Sequence, residues 1–181
     1  MLVDTPICDF DWKAPDFTLK TAEGDEITMS DQFGKSGLLI AFICNHCPYV
    51  VAIAERLSAD AKTLHIEGIN VLAVMSNDYR SYAADSPPKM IEFAEKYDFR
   101  FPYLVDENQS VGRAYNAVCT PDFFGLNKNG ELQYRGRLDD ARMGDASNRT
   151  PELLNAMRLV AETGKGPLDQ TPSMGCSIKW R

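Results

Sequence analysis

Histidine is scarce in this chain, two in 181 residues, and apart from one CxxC no two cysteines or histidines stand at the close spacing of a metal-ligand pair. A structural zinc site draws on two such pairs, which argues against a zinc knuckle. No apolar stretch approaches the roughly 20 residues of a membrane-spanning helix. The N-terminal Met1-Leu2-Val3-Asp4-Thr5-Pro6 offers neither the positive region nor the apolar core of a signal peptide, so a cytoplasmic protein with no membrane partner is expected. Positive charge is in deficit, 19 Lys and Arg against 26 Asp and Glu for a net charge of −7, which argues against nucleic acid as a partner. Internal repeats and low-complexity tracts are absent. A chain of this length buries most of its apolar surface as one domain without disulfide staples. Its five cysteines, read in a reducing compartment, therefore point to catalytic or metal chemistry, and an odd number leaves at least one unpaired.

What the chain does have is a junction at Cys44-Asn45-His46-Cys47-Pro48. Before it, Leu38 to Ile43 is a continuous apolar run of strand length, which predicts a central buried strand. After it, Val50, Ile53, Ala54, Leu57, Ala61 and Leu64 recur at helical spacing and Gly68 closes the run. The spacing puts both cysteines on the first turn of a helix, where unpaired backbone N–H groups and the helix dipole favour a thiolate. On this reading Cys44 is the exposed nucleophile and Cys47, one turn deeper, resolves the mixed disulfide. His46 is placed to favour the Cys44 thiolate and make the couple more oxidising, against the plain alternative of an exposed, uncoupled histidine. His65, at the far helix end, reads as a solvated group near the carbonyl terminus.

Around this junction, Phe17–Leu19 and Ile27–Met29 read as a hairpin turning at Gly24, and Val71–Met75 as a second buried strand. Asn77 to Pro88 is a long polar loop placed to line the cleft. A helix starting at Ser86-Pro87, a strand over 102–106, a short helix over 110–116, strands over 122–126 and 132–138 joined by an Asn127–Gly130 turn, and a helix with Thr150 as cap complete the order. Three parts are expected: an arm over 1–13, in which Cys8 is a bystander, a domain over 14–163, and an extended tail over 164–181 packed on the domain.

The strand, CxxC and helix, followed by Thr120-Pro121 at a strand start, resemble the thioredoxin-like superfamily. Ala14-Pro15-Asp16-Phe17-Thr18-Leu19, Gly24, and Phe101-Pro102 before Leu104-Val105-Asp106 are similar to its redoxin branch, which includes alkyl hydroperoxide reductase and thiol-specific antioxidant relatives. The resemblance implies an α/β thioredoxin-like fold, a central mixed sheet flanked by helices with an N-terminal β-hairpin extension. It implies a thiol-disulfide oxidoreductase without cofactor or metal, acting on protein or small-molecule disulfides with an electron donor still to be identified. It also implies that Thr120-Pro121 is cis and presents its backbone to a substrate strand. Ile43 stands where thioredoxins carry tryptophan. A peroxiredoxin-like peroxidase with antioxidant activity is the alternative, but the proline seven and the threonine three residues before a peroxidatic cysteine are missing, Gly37 and Ala41 standing there for Cys44. A Sco-like copper carrier spaces its cysteines by three residues, not two. Finally, Cys119 lies two residues before Pro121 and the tail is long enough to return. The expectation is that Cys176 comes to lie near Cys119, as a second redox pair or as a packing pair.

Overall fold

The computed structural model describes residues 1–181. Three short strands, β1 (Leu2–Asp4), β2 (Thr18–Thr21) and β3 (Glu26–Thr28), precede the apolar run, which forms β4 (Gly37–Phe42) and is buried throughout. Side chains alternate along a strand, so an unbroken apolar run needs cover on both faces. Leu39, Ala41 and Ile43 enter one core, while Leu38, Ile40 and Phe42 enter the other. Helix α1 (Pro48–Ile66) covers the first face with the stripe from Val50 to Leu64 that the spacing predicts. Each Leu or Ile fully buried this way contributes about 1.5–3 kcal/mol.

The order continues β5 (Ile69–Met75), α2 (Pro87–Lys96), β6 (Tyr103–Val105), α3 (Ser110–Ala114), β7 (Cys119–Thr120), β8 (Asp122–Asn127), β9 (Leu132–Tyr134), α4 (Glu152–Thr163) and β10 (Met174–Ser177). Strands run β3-β2-β6-β5 on one side and β4-β8-β9 on the other, and the Ile43 N–H donates to the Val74 carbonyl where the halves meet. Only the β5–β6 pairing is parallel, so the sheet is mixed. Gly24 (φ +103°) turns the β2–β3 hairpin and Gly130 (φ +75°) the β8–β9 hairpin, a conformation that costs glycine little. Helix α4 begins one residue later than expected, with Pro151 in the cap position and the Glu152 N–H bonded to the Thr150 carbonyl.

The arm and tail are where the structure departs most from expectation. Both read as segments without period, yet β1, β10 and β7 form a second, three-stranded sheet in that order, with Leu2 opposite Cys176 and Cys176 opposite Thr120. Strands of two to four residues are too short to show alternation, and their partners lie more than fifty residues away along the chain. The tail is thus the middle strand of a sheet. At its edge the buried Asp122 pairs with Arg135 through two hydrogen bonds, 2.9 and 3.2 Å, and the guanidinium lies over the Phe124 ring. That pair sits one residue beyond Pro121 and anchors the start of β8.

Candidate redox site

Pro48 decides the geometry of the dithiol. A proline prefers the first helical position and disfavours helical geometry in the residue before it. Helix α1 accordingly begins at Pro48, and Cys47 (φ −70°, ψ 120°) is its extended cap residue. Cys44 lies four residues before the first helical residue and two beyond the end of β4, so the expected placement of both cysteines on the first turn is corrected. Neither sulfur is exposed, with residue exposure of 1% for Cys44 and 0% for Cys47. The expectation of an open Cys44 nucleophile is corrected with it.

The two thiols lie beside each other, and their surroundings decide which ionises more readily. The bond between them pushes the Cys44 thiol up, burial pushes it further, and the Asp85 carboxylate adds a third push. Cys47 moves the other way, to about 4, because it receives the Cys44 S–H, overcomes its burial, and is faced by the backbone N–H groups of Cys176 and Val50 and by the Thr120 hydroxyl. Of the two thiols, Cys47 is therefore the one whose surroundings favour ionisation. Thr120 touches both sulfurs: its Oγ1 is 3.4 Å from Cys44 Sγ, and its carbonyl oxygen accepts from the protonated Cys47 Sγ at 3.2 Å.

His46 is held beside Cys44 by a buried carboxylate. Its Nδ1 is 2.7 Å from Asp85 Oδ2, and its ring stacks on Tyr82. Asp85 is fully buried and also accepts the Asn45 N–H (2.8 Å) and the Asn77 amide (2.9 Å), while the Asn45 side chain bonds the Ala84 carbonyl and the Tyr103 hydroxyl. The loop 77–88 thus folds its Ala83–Asp85 turn onto the CxxC, as its length suggested, and brings a carboxylate that no spacing in the sequence announces. Cys44, His46 and Asp85 also bring a sulfur, a nitrogen and an oxygen within 4.8 Å of one another, a donor set absent from the sequence reading. His65 bonds Asn70 far from this site.

The Thr120–Pro121 bond is cis, as the resemblance implied. Its neighbouring backbone is not open to a substrate strand, because β10 already pairs there, with Ser173 Oγ donating to the Pro121 carbonyl at 2.7 Å. Cys119 and Cys176 are not the expected pair. Cys119 aligns with Ser177 and Cys176 with Thr120, so alternation turns the two thiols to opposite faces. Cys119 is fully buried with its thiol pushed above the ordinary range by burial, and Cys176 instead faces Cys47. Beside the tail a small groove is lined by Tyr49, Ile53, Pro121, Pro172 and Met174 together with Arg137, Asp139 and Arg142.

A mixed sheet whose β4 delivers a CxxC to a helix start opposite a cis-proline defines a thioredoxin-like protein. The AhpC/TSA family profile matches residues 11–135, and the chain belongs to this family. It is 32% identical over 123 residues to the thioredoxin-like protein YneN of Bacillus subtilis, 67% of each chain. It is 32% identical over 124 residues to the thiol-disulfide oxidoreductase ResA of Geobacillus kaustophilus, a match over 66% of this chain and 64% of that enzyme's length. An uncharacterised conserved protein of Geobacillus kaustophilus has the same structure from end to end, with a TM-score of 0.93 at 36% identity over 100% of this chain and 97% of its own. A hypothetical protein of Sinorhizobium meliloti follows with 0.90 at 37% identity over 98% and 97%. No helix is long and apolar enough to cross a membrane.

Proposed function

We propose that the protein is a thiol-disulfide oxidoreductase that cycles between a Cys44/Cys47 dithiol and a disulfide. The observation that carries this reading is the placement of Cys44 and Cys47 at a helix start, both sulfurs in contact with Thr120 of the cis Thr120–Pro121 bond. Such a pair is set for exchange, since the thiolate is both the attacking and the departing species. The name of the ResA relative supports the same class of chemistry. Because the Thr120 edge is occupied, a partner's disulfide reaches the site from the side of the groove by Tyr49 and Pro121. Against a peroxidase, the proline seven and the threonine or serine three residues before the attacking cysteine are missing for either thiol, Gly37 and Ala41 standing there for Cys44 and Ile40 and Cys44 for Cys47. Dithiothreitol-driven reduction of insulin disulfides tests the proposal. The wild-type protein should accelerate it and Cys44→Ser and Cys47→Ser should each abolish the acceleration, while hydrogen peroxide is consumed no faster than by free thiol. Rapid peroxide turnover with no insulin reduction would replace this reading by the peroxidase.

A further inference from the structure

The tail does more at this site than cover it. Cys176 stands in register with Thr120, the residue whose side chain and carbonyl touch the two active sulfurs. The Thr120 carbonyl is 3.2 Å from Cys47 Sγ, so this register holds Cys176 beside the Cys47 sulfur, where its N–H and thiol bear on that sulfur's ionisation. The approach is held from both sides. Gly175 lies so close to the Thr120 carbonyl that a Cβ there would stand 1.9 Å from it. Beyond it, Ile178 is buried, the Lys179 N–H bonds Asn77 at 2.8 Å, and Trp180 lies under the Arg113 guanidinium. Cys44 and Cys47 are sealed, and Cys176 is the one residue of the three that is only partly buried.

We propose that Cys176 is a third redox thiol of this site, the alternative disulfide partner of Cys47. This rests on the dithiol reading above and extends it. In the oxidised protein the Cys176 thiol attacks the Cys47 sulfur, the Cys44–Cys47 bond breaks as the Cys47–Cys176 bond forms, and the electron pair and proton pass to Cys44, which becomes the thiol. No oxidant or reductant enters, because one disulfide is exchanged for another. Cys44 is suited to the product thiol by the carboxylate beside it. The new bridge is only partly buried at Cys176. A partner thiolate that attacks Cys176 there expels Cys47, whose N–H donors make it the better leaving group. The exchange thus moves the oxidising equivalent from a sealed pair to the surface.

The test is disulfide mapping by mass spectrometry after oxidation in a glutathione buffer and acid quench, on the full chain. Serine at position 44 keeps a hydroxyl donor for Cys47, so Cys44→Ser should lose two hydrogens and show a Cys47–Cys176 bridge in most molecules. Cys47 found free or only glutathionylated in Cys44→Ser would overturn the proposal. Wild type supplies the arm that does not depend on a variant. Maleimide labelling of its oxidised form should find a fraction, about a tenth or more, carrying the label on Cys44. A wild-type Cys44–Cys47 bridge with label on Cys176 alone would overturn the third thiol and leave the oxidoreductase standing. Wild type with no bridge to Cys47 at all would overturn both.

Discussion

Cys44 and Cys47 have the same chemistry and differ in what faces them, a carboxylate in one case and backbone N–H groups in the other. Alkylation of the reduced protein as a function of pH should therefore show a thiolate on Cys47 persisting far below the roughly 8.5 of a free cysteine, and none on Cys44 in that range. Cys44 labelling first at low pH would reverse the assignment. The sign for stability follows from linkage. Reduced, folded protein binds fewer protons at Cys47 than unfolded chain does between pH of about 4 and about 8.5, so its stability rises with pH through that window and is lost as pH falls through the folded value. Above about 8.5 the protonated Cys44 acts in the opposite sense. Chemical denaturation at pH 5 and pH 8 should show a larger gain for the reduced than for the oxidised form. The Asp85 carboxylate provides a second handle. Asp85→Asn removes a negative charge beside Cys44, which should ease its ionisation, stabilise the reduced form and make the couple more oxidising. An unchanged equilibrium with glutathione would show that Asp85 only holds the loop.

Among the elements, β8 and its buried pair carry the clearest energetic prediction. Asp122→Ala strands the Arg135 guanidinium without its partner in a buried site, which should cost about 3–5 kcal/mol in denaturant unfolding. A loss under about 1 kcal/mol would mean that the Asn116 carbonyl and the Phe124 ring suffice for Arg135. What was legible beforehand follows element length. The six buried residues of β4 and the apolar stripe of α1 each bury enough side chains to print a period, and the hairpin glycines print the turns. The CxxC at the junction of β4 and α1 was equally plain, and Pro48 already marked where α1 begins. The Asp85 contact was not legible, because a carboxylate brought in by a loop 39 residues away leaves no spacing to read. Nor was the Cys176–Thr120 register, since it depends on where a short strand comes to rest.

Taken whole, the molecule closes its own reactive edge by pairing N-terminal and C-terminal segments over β7. Gly175→Ala should push β10 off the Thr120 carbonyl, speed alkylation of Cys47 and lower the melting temperature. Unchanged alkylation would mean that the tail does not shield the site. The central claim, that Cys44 and Cys47 form a two-electron redox pair, is tested most directly by equilibrating the wild-type protein across a range of glutathione ratios, trapping with alkylating agent and weighing the intact chain. The account predicts a single two-electron transition in which the oxidised species has lost two hydrogens and carries a bridge that always includes Cys47. A chain that stays fully alkylatable at every ratio, or that oxidises only by adding glutathione, would contradict it.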